Sequence, residues 1–324
     1  MIQNSAHTAT IPGLPYMEAS FTLRLNEDSV FPAIKGSMFR GAFGSAFRNT
    51  VCFTRRPECV GCPLQASCTY FTIFETEMPG NAVWFLRGVK KTPHPFLFKT
   101  YHLDRTQYQK GELISIRVVI FGDVQLLFPF FVLSFIRMGD IGISVRRHRF
   151  TLQNVTAMNP NGAIELLYHD GTMQPVPADC IRNCSLDADA ASLPDRVSLH
   201  LHSHLALQRE GRVLNAVSQV TPAIVFNALA RRYFGLLHLF GKPRDQVYLP
   251  PVEDTEPVLD TTGLWYDTWD RYSNRFGGKM TFGGFMGKIT IMHPTLLQYR
   301  LLIAGQVTAF GKNTVFGSGQ YTLQ

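Results

Sequence analysis

The sequence predicts an α+β fold of two tandem ferredoxin-like (RRM-like) domains, with a four-cysteine metal knuckle inserted in the first. Three observations predict it. The hydrophobic pattern reads strand, helix, strand, strand, helix, strand, and then reads that order a second time. A polar stretch at 170–195, broken by Pro and Asp, separates the two readings. Four of the six cysteines crowd between Cys52 and Cys68. A chain of 324 residues fits two domains at about 100–200 residues each. The expected boundaries are 1–190, with the cysteine insertion at about 50–70, and 191–324.

The first unit opens at 16–25, where Met17, Ala19, Phe21, Leu23 and Leu25 alternate with Glu18, Ser20, Thr22 and Arg24. Period-two alternation marks a half-buried strand. A helix follows at 35–49, with Met38, Phe39, Ala42, Phe43, Ala46 and Phe47 at helical spacing. Strands are expected at 96–101 and 112–122, then a short helix from Pro129 to Met138. A glycine-spaced turn, GDIGISVRRHRF, leads into a last strand through Phe150, Leu152 and Val155.

The second unit starts near 197. Val197, Leu199, Leu201, Leu205 and Leu207 face one way, and Ser198, His200, His202, His204 and Gln208 the other. After a turn at 210–212 comes a helix at 222–240, with Pro222 in its first turn, where a missing N–H costs nothing. Strands at 264–276 and 281–292, a helix at 294–304 and a strand at 319–323 complete the order.

Composition narrows the function. A chain 45% hydrophobic and 12% aromatic has ample material for a core, which excludes a disordered protein. Its net charge of +7 and pI near 9.1 favour an acidic partner, of which nucleic acid is the commonest. The most apolar run, Leu126–Ile136, falls short of the roughly 20 residues a bilayer demands and contains Pro129. The N-terminus lacks the basic-then-apolar order of an export signal. The expectation is a cytoplasmic protein without a membrane partner.

The cysteines follow C-x6-C-x2-C-x5-C: Cys52, Cys59, Cys62 and Cys68. A CxxC pair sets two thiolates on one turn, half of a tetrahedral metal site, and two flanking cysteines supply the rest. Structural zinc is the first expectation and an iron–sulfur cluster the alternative. Disulfides are disfavoured in a chain with no export signal. Cys180 and Cys184 stand outside the pattern.

Several motifs occur in one order: the GSMFRGAFGSAFR helix, the cysteine knuckle ending CTYFTIFE, the GDIGISVRRHRF turn, WYDTWDRYSNRFGGKMTFGGFMGKI, and the tail AFGKNTVFGSGQYTL. That order resembles the CRISPR-associated endoribonucleases of the RAMP superfamily, which process precursor CRISPR RNA. The likeness runs from about 16 to 323, and the C-terminal part is its most specific stretch. The resemblance implies binding of CRISPR repeat RNA and attack of a ribose 2′-OH on the adjacent phosphate. Such cleavage leaves a 2′,3′-cyclic phosphate and needs no cofactor. It also implies transfer of the product RNA to other CRISPR effector subunits. The alternatives are a non-catalytic RAMP subunit that holds guide RNA in an effector complex, and a metal-knuckle nucleic-acid binder unrelated to CRISPR.

Cleavage of this kind requires a base, an acid and positive charge at the phosphate. The family often places a histidine in or beside the first helix, where this chain offers Lys35, Arg40 and Arg48. Before the terminal glycine loop, where many relatives carry another, stand Ala309 and Phe310. The catalytic candidates are therefore Lys35, Arg40, His148, His204 and Lys312. The RNA-binding candidates are Arg146, Arg147 and Arg149 of the basic turn, and Arg271, Arg275, Lys279 and Lys288 among aromatics. Gly311, Lys312, Asn313, Gly317 and Gly319 of the terminal loop complete them, as a backbone cradle for phosphate. Trp265, Trp269 and Phe276 are expected in the core, and His238 in a structural role.

Overall fold

A computed structural model of the chain describes residues 13–76, 92–186, 193–241, 256–273 and 278–324, without the side chains of 271–273 and 279. In the first half the elements are β1 (Leu14–Leu25), β2 (Ser29–Val30), α1 (Gly36–Val51), β3 (Phe96–Lys99), β4 (Gln107–Tyr108) and β5 (Leu113–Phe121). There follow α2 (Phe128–Ile141), β6 (Phe150–Met158), β7 (Ile164–His169), β8 (Thr172–Met173) and β9 (Arg182–Cys184). The sheet runs β3-β5-β1-β6-β7-β8, so β3, β5, β1 and β6 carry the ferredoxin-like threading, and β2 and β4 pair apart from it. The stretch from 170 is not all loop: β8 extends the sheet and β9 pairs with the start of β1 through Leu14↔Cys184. Period-two apolar residues of β1 meet α1 and α2 on one face, where Phe21 stacks on Phe135 at 4.0 Å and Phe43 contacts Phe131 at 5.1 Å.

Pro129 opens α2 rather than breaking it, because its missing N–H falls in the first turn. A 3-10 turn at Gly122–Leu127 joins on, giving a 20-residue helical stretch, Gly122–Ile141, that is long and apolar enough by length and composition to cross a membrane. That corrects the shorter apolar run expected from the sequence. In this fold the stretch serves as a core helix, with Phe128, Phe131, Val132, Phe135 and Met138 buried.

The second half holds β10 (Arg196–Leu205), the small pair β11 (Gln208–Arg209) and β12 (Arg212–Val213), α3 (Pro222–Phe240), β13 (Val258–Asp260), β14 (Leu264–Ser273), β15 (Gly278–Met292), α4 (Leu296–Thr308) and β16 (Tyr321–Leu323). Its sheet runs β13-β15-β10-β16, with β14 also paired to β15, so the threading of the first half recurs. Both helices start on threonine caps. Thr221 Oγ1 accepts from the Ile224 amide, and Thr295 with Gln298 forms a reciprocal capping box.

The halves share a buried joint. Tyr233 Oη donates to the Cys184 carbonyl at 2.9 Å, and Gln320 Nε2 to the Phe98 carbonyl at 2.8 Å. Arg232 of α3 is buried there; it donates to Thr308 and His94 carbonyls, and burial lowers its pKa to about 9.

Candidate functional site

The strand β10 does not keep one polar stripe. Its pairing with β15 steps from Leu201↔Gly287 to Leu205↔Phe285, so four residues of advance on β10 oppose two on β15. A bulge of this kind re-aims side chains, and it sends the histidines to different neighbours. His200 stays in register with Lys288 and Thr322. His202 stacks on Tyr101 of the first half, with centroids 4.7 Å apart and planes at 12°, and its Nε2 lies 3.1 Å from Thr322 Oγ1. Burial lowers the His202 pKa, with His200 and Arg117 adding to it. His204 turns to the β14–β15 hairpin instead. Its Nε2 is 2.9 Å from Asp267 Oδ2 and its ring lies 4.2 Å from that of Trp269. The hydrogen bond from His204 holds the Asp267 carboxyl below its ordinary value, against the opposing effect of burial.

The terminal glycine loop passes directly beside this pair. Gly319 donates its amide to the His204 carbonyl at 3.0 Å, and the Lys312 amide bonds to the Ala206 carbonyl at 2.8 Å. Gly311, Asn313, Gly317 and Gly319 all have positive φ, a conformation glycine adopts without strain. A Cβ on Gly319 would overlap the Phe310 carbonyl, and one on Gly36 would overlap the Phe316 carbonyl. These glycines therefore let the loop wedge between α1 and β10. The expected phosphate cradle needs correction, because Gly317 and Gly319 are buried and their amides already bond to the Thr314 and His204 carbonyls. The Lys312 side chain is exposed at the end of β10, beside the bulge.

The first-half candidates are differently placed. Lys35 is buried at the N-cap of α1, where Nζ donates to the carbonyls of Leu103 at 2.7 Å and Ala33 at 3.2 Å. Burial lowers its pKa. His148 is buried too, accepting from the Val30 amide at 3.3 Å with its ring edge-on to Phe31. Lys35 and His148 both turn inward onto backbone groups of the segment between β1 and α1. Arg40 is half-buried over the Phe74 ring, with Nη2 3.4 Å from His94 Nε2.

Arg146, Arg147 and Arg149 are all exposed on the turn closed by the Ile143–His148 backbone pair, while His148 between them points inward. Lys288 is half-buried opposite His200. Arg271 and Lys279 lie on the β14–β15 hairpin, in register with Met280 and Tyr272. Arg275 and Phe276 fall outside the described residues. Trp265 is 55% exposed, so the core placement expected for it does not hold.

Sequence reasoning passed over Asp267, Tyr101, His202 and Arg117. Arg117 donates to Tyr101 Oη at 3.1 Å and lies over its ring, beside Glu18 at 3.5 Å. Asp267 stands inside WYDTWD, a motif singled out for its aromatics, and its spacing from His204 carries no signal until the hairpin folds back.

The cysteine loop leaves the C-terminal end of α1, where Cys52 is the C-cap. All six cysteines are free thiols, and Cys52, Cys59, Cys62 and Cys68 line one cavity of about 280 Å³. Among the described residues, no three His, Cys, Asp or Glu side chains already stand where they would hold a metal.

Residues 14–179, half of the chain, match the family model described as the AF_1859_N N-terminal domain. Residues 199–321 match the model of the CRISPR-associated endoribonuclease Cas6. Among solved structures, the chain is similar to a partial Cas6-RT-Cas1–Cas2 complex, at 11% identity and a TM-score of 0.51, over 97% of this chain and 47% of that one. A second Cas6-RT-Cas1–Cas2 structure gives the same score over 29% of its length, so the chain spans half or less of these two relatives. The Thermus thermophilus Cas6 (TTHB231) product complex gives 13% identity and a TM-score of 0.50, covering 96% of this chain and all of that one. At these identities the likeness is one of fold. No curated protein matches the sequence.

Proposed function

The chain belongs to the CRISPR Cas6 family of RAMP proteins, and from that premise we propose that it binds CRISPR repeat RNA and cuts precursor crRNA. The observation that carries the reading is the His204–Asp267 pair, 2.9 Å apart and braced by the glycine loop that also presents Lys312. In the proposed reaction the ribose 2′-oxygen loses its proton and bonds to the adjacent phosphorus. The bond from phosphorus to the 5′-oxygen breaks, and that oxygen takes a proton. The products carry a 2′,3′-cyclic phosphate and a 5′-hydroxyl. The nucleophile is the RNA's own hydroxyl, so side chains alone supply what the step requires. His204 moves the proton, Asp267 orients its ring, and Lys312 places positive charge on the phosphate.

Binding would draw on groups spread over both halves. Exposed Arg146, Arg147 and Arg149 offer phosphate contacts, as does half-buried Lys288; Arg271, Arg275 and Lys279 are candidates from the sequence alone. The Tyr101–His202 stack with Arg117, and Trp269 beside His204, offer aromatic faces to splayed bases. The product RNA would then pass, in the cytoplasm, to other CRISPR effector subunits.

The test incubates the purified chain with repeat RNA from its own array in excess EDTA and maps the product ends. Cutting at one position with a cyclic phosphate is expected. Absence of repeat-RNA binding by the folded protein refutes the proposal. Tight binding without cutting points instead to a RAMP subunit that holds guide RNA, a reading favoured by the lack of any histidine in α1.

A further inference from the structure

Burial is inverted in the loop from Cys52 to Cys68. Phe53 is 89% exposed, and Val60 and Leu64 also face water, whereas the only half-buried side chains are the four cysteines and Gln65. No apolar side chain of the loop is buried, and its one regular element is a 3-10 turn at Gln65–Ser67. Hydrophobic burial, the usual source of order, is therefore missing from this segment. Small segments without a core hold their shape by a disulfide or a metal, and here every thiol is free.

The backbone is already bent for ligation. The Cys62 amide bonds to the Cys59 carbonyl at 3.1 Å, Gly61 between them has φ +72°, and the Gly61 amide bonds to Gln65 Oε1 at 3.0 Å. Arg48, from the last turn of α1, donates to the Arg56 and Pro57 carbonyls and so ties the loop to the helix. The four cysteines line the same cavity.

We propose that the 52–68 loop is a structural zinc knuckle, with Cys52, Cys59, Cys62 and Cys68 as the four ligands of one ion. The thiols converge on the cavity without yet standing at ligand separation, and the ion draws them in to Zn–S bonds of about 2.3 Å. Each ligand must be a thiolate, so each thiol gives up its proton to solvent as it binds. An all-sulfur set selects a soft metal over magnesium or calcium. The ion would replace the core this loop lacks. It would also fix the entry to the π-helical turn Phe71–Glu75, which sends Ile73 and Phe74 into the first core.

The test is independent of RNA cutting. The full chain is purified under reducing, chelator-free conditions and its metals measured. About one zinc per chain with no visible absorption is expected, with loss of that zinc in Cys62→Ser and retention in Cys180→Ser. Should Cys62→Ser fail to fold, the wild-type chain still decides the matter through thiol labelling. After chelation the loop thiols should react about tenfold or more faster than with zinc restored. Equal labelling with and without zinc, together with no bound metal, overturns the proposal. A brown protein containing iron and sulfide overturns zinc in favour of a cluster.

Discussion

The two halves thread their sheets in the same order, yet they treat the corner after the first strand in opposite ways. In the first half that corner is filled. Lys35 and His148 turn inward onto backbone groups, and the glycine loop of the second half seats itself on the start of α1. In the second half the equivalent strand bulges at 202–204 and delivers His204 to Asp267 near the surface. The shared topology brings loops to the same place; what fills the corner decides whether its polar groups serve packing or chemistry. The first half acts as the seat, and the second half carries the candidate site.

The seat is tested by the largest effect expected. Gly36→Ala pushes a Cβ into the Phe316 carbonyl, whereas Gly41→Ala, in the same helix, meets open space. Chemical unfolding should show the first costing about 3 kcal/mol or more and the second gaining about 0.5–1 kcal/mol. Equal effects at the two positions would break the view that the loop is wedged there.

Next comes the orienting carboxylate. Asp267→Asn should slow single-turnover cutting by about tenfold or more while leaving repeat-RNA affinity nearly unchanged. The sign of its pH effect follows from the depressed pKa. A carboxyl held below its ordinary value of 3.8 stabilises the folded chain above that value, and the contribution is lost as pH falls through the folded value. Urea unfolding should therefore separate wild type from Asp267→Asn at pH 6, with the gap narrowing as pH falls below 3.8. The smallest effect belongs to Lys312→Ala. It should weaken repeat-RNA binding several-fold and reduce the slope of log affinity against log salt by about 1. An unchanged slope would remove Lys312 from the phosphate.

Much of this was legible in the residues. The helix expected at 222–240 is α3, because Pro222 and the threonine before it mark its start unambiguously. The strand expected at 16–25 is β1 with two residues added, since clean alternation survives wherever one face is buried. Long-range pairing was not legible. Lys35 looks like a surface cation at a helix start, and its partner carbonyl at Leu103 lies 68 residues away. The alternation of His200, His202 and His204 suggests one polar face, and only the strand beside them reveals the bulge. The pairing of Arg182–Cys184 with β1 was hidden among turn-forming residues, where three residues are too few to show a period.

The most direct measurement compares His204→Ala with wild type for both repeat-RNA affinity and single-turnover cutting in EDTA, with unfolding curves confirming that the variant folds. If the bulged strand carries the chemistry, cutting falls by about 10²–10⁴-fold while affinity changes only a few-fold. Cutting at the wild-type rate would contradict it and move the proton-transferring group elsewhere on the molecule.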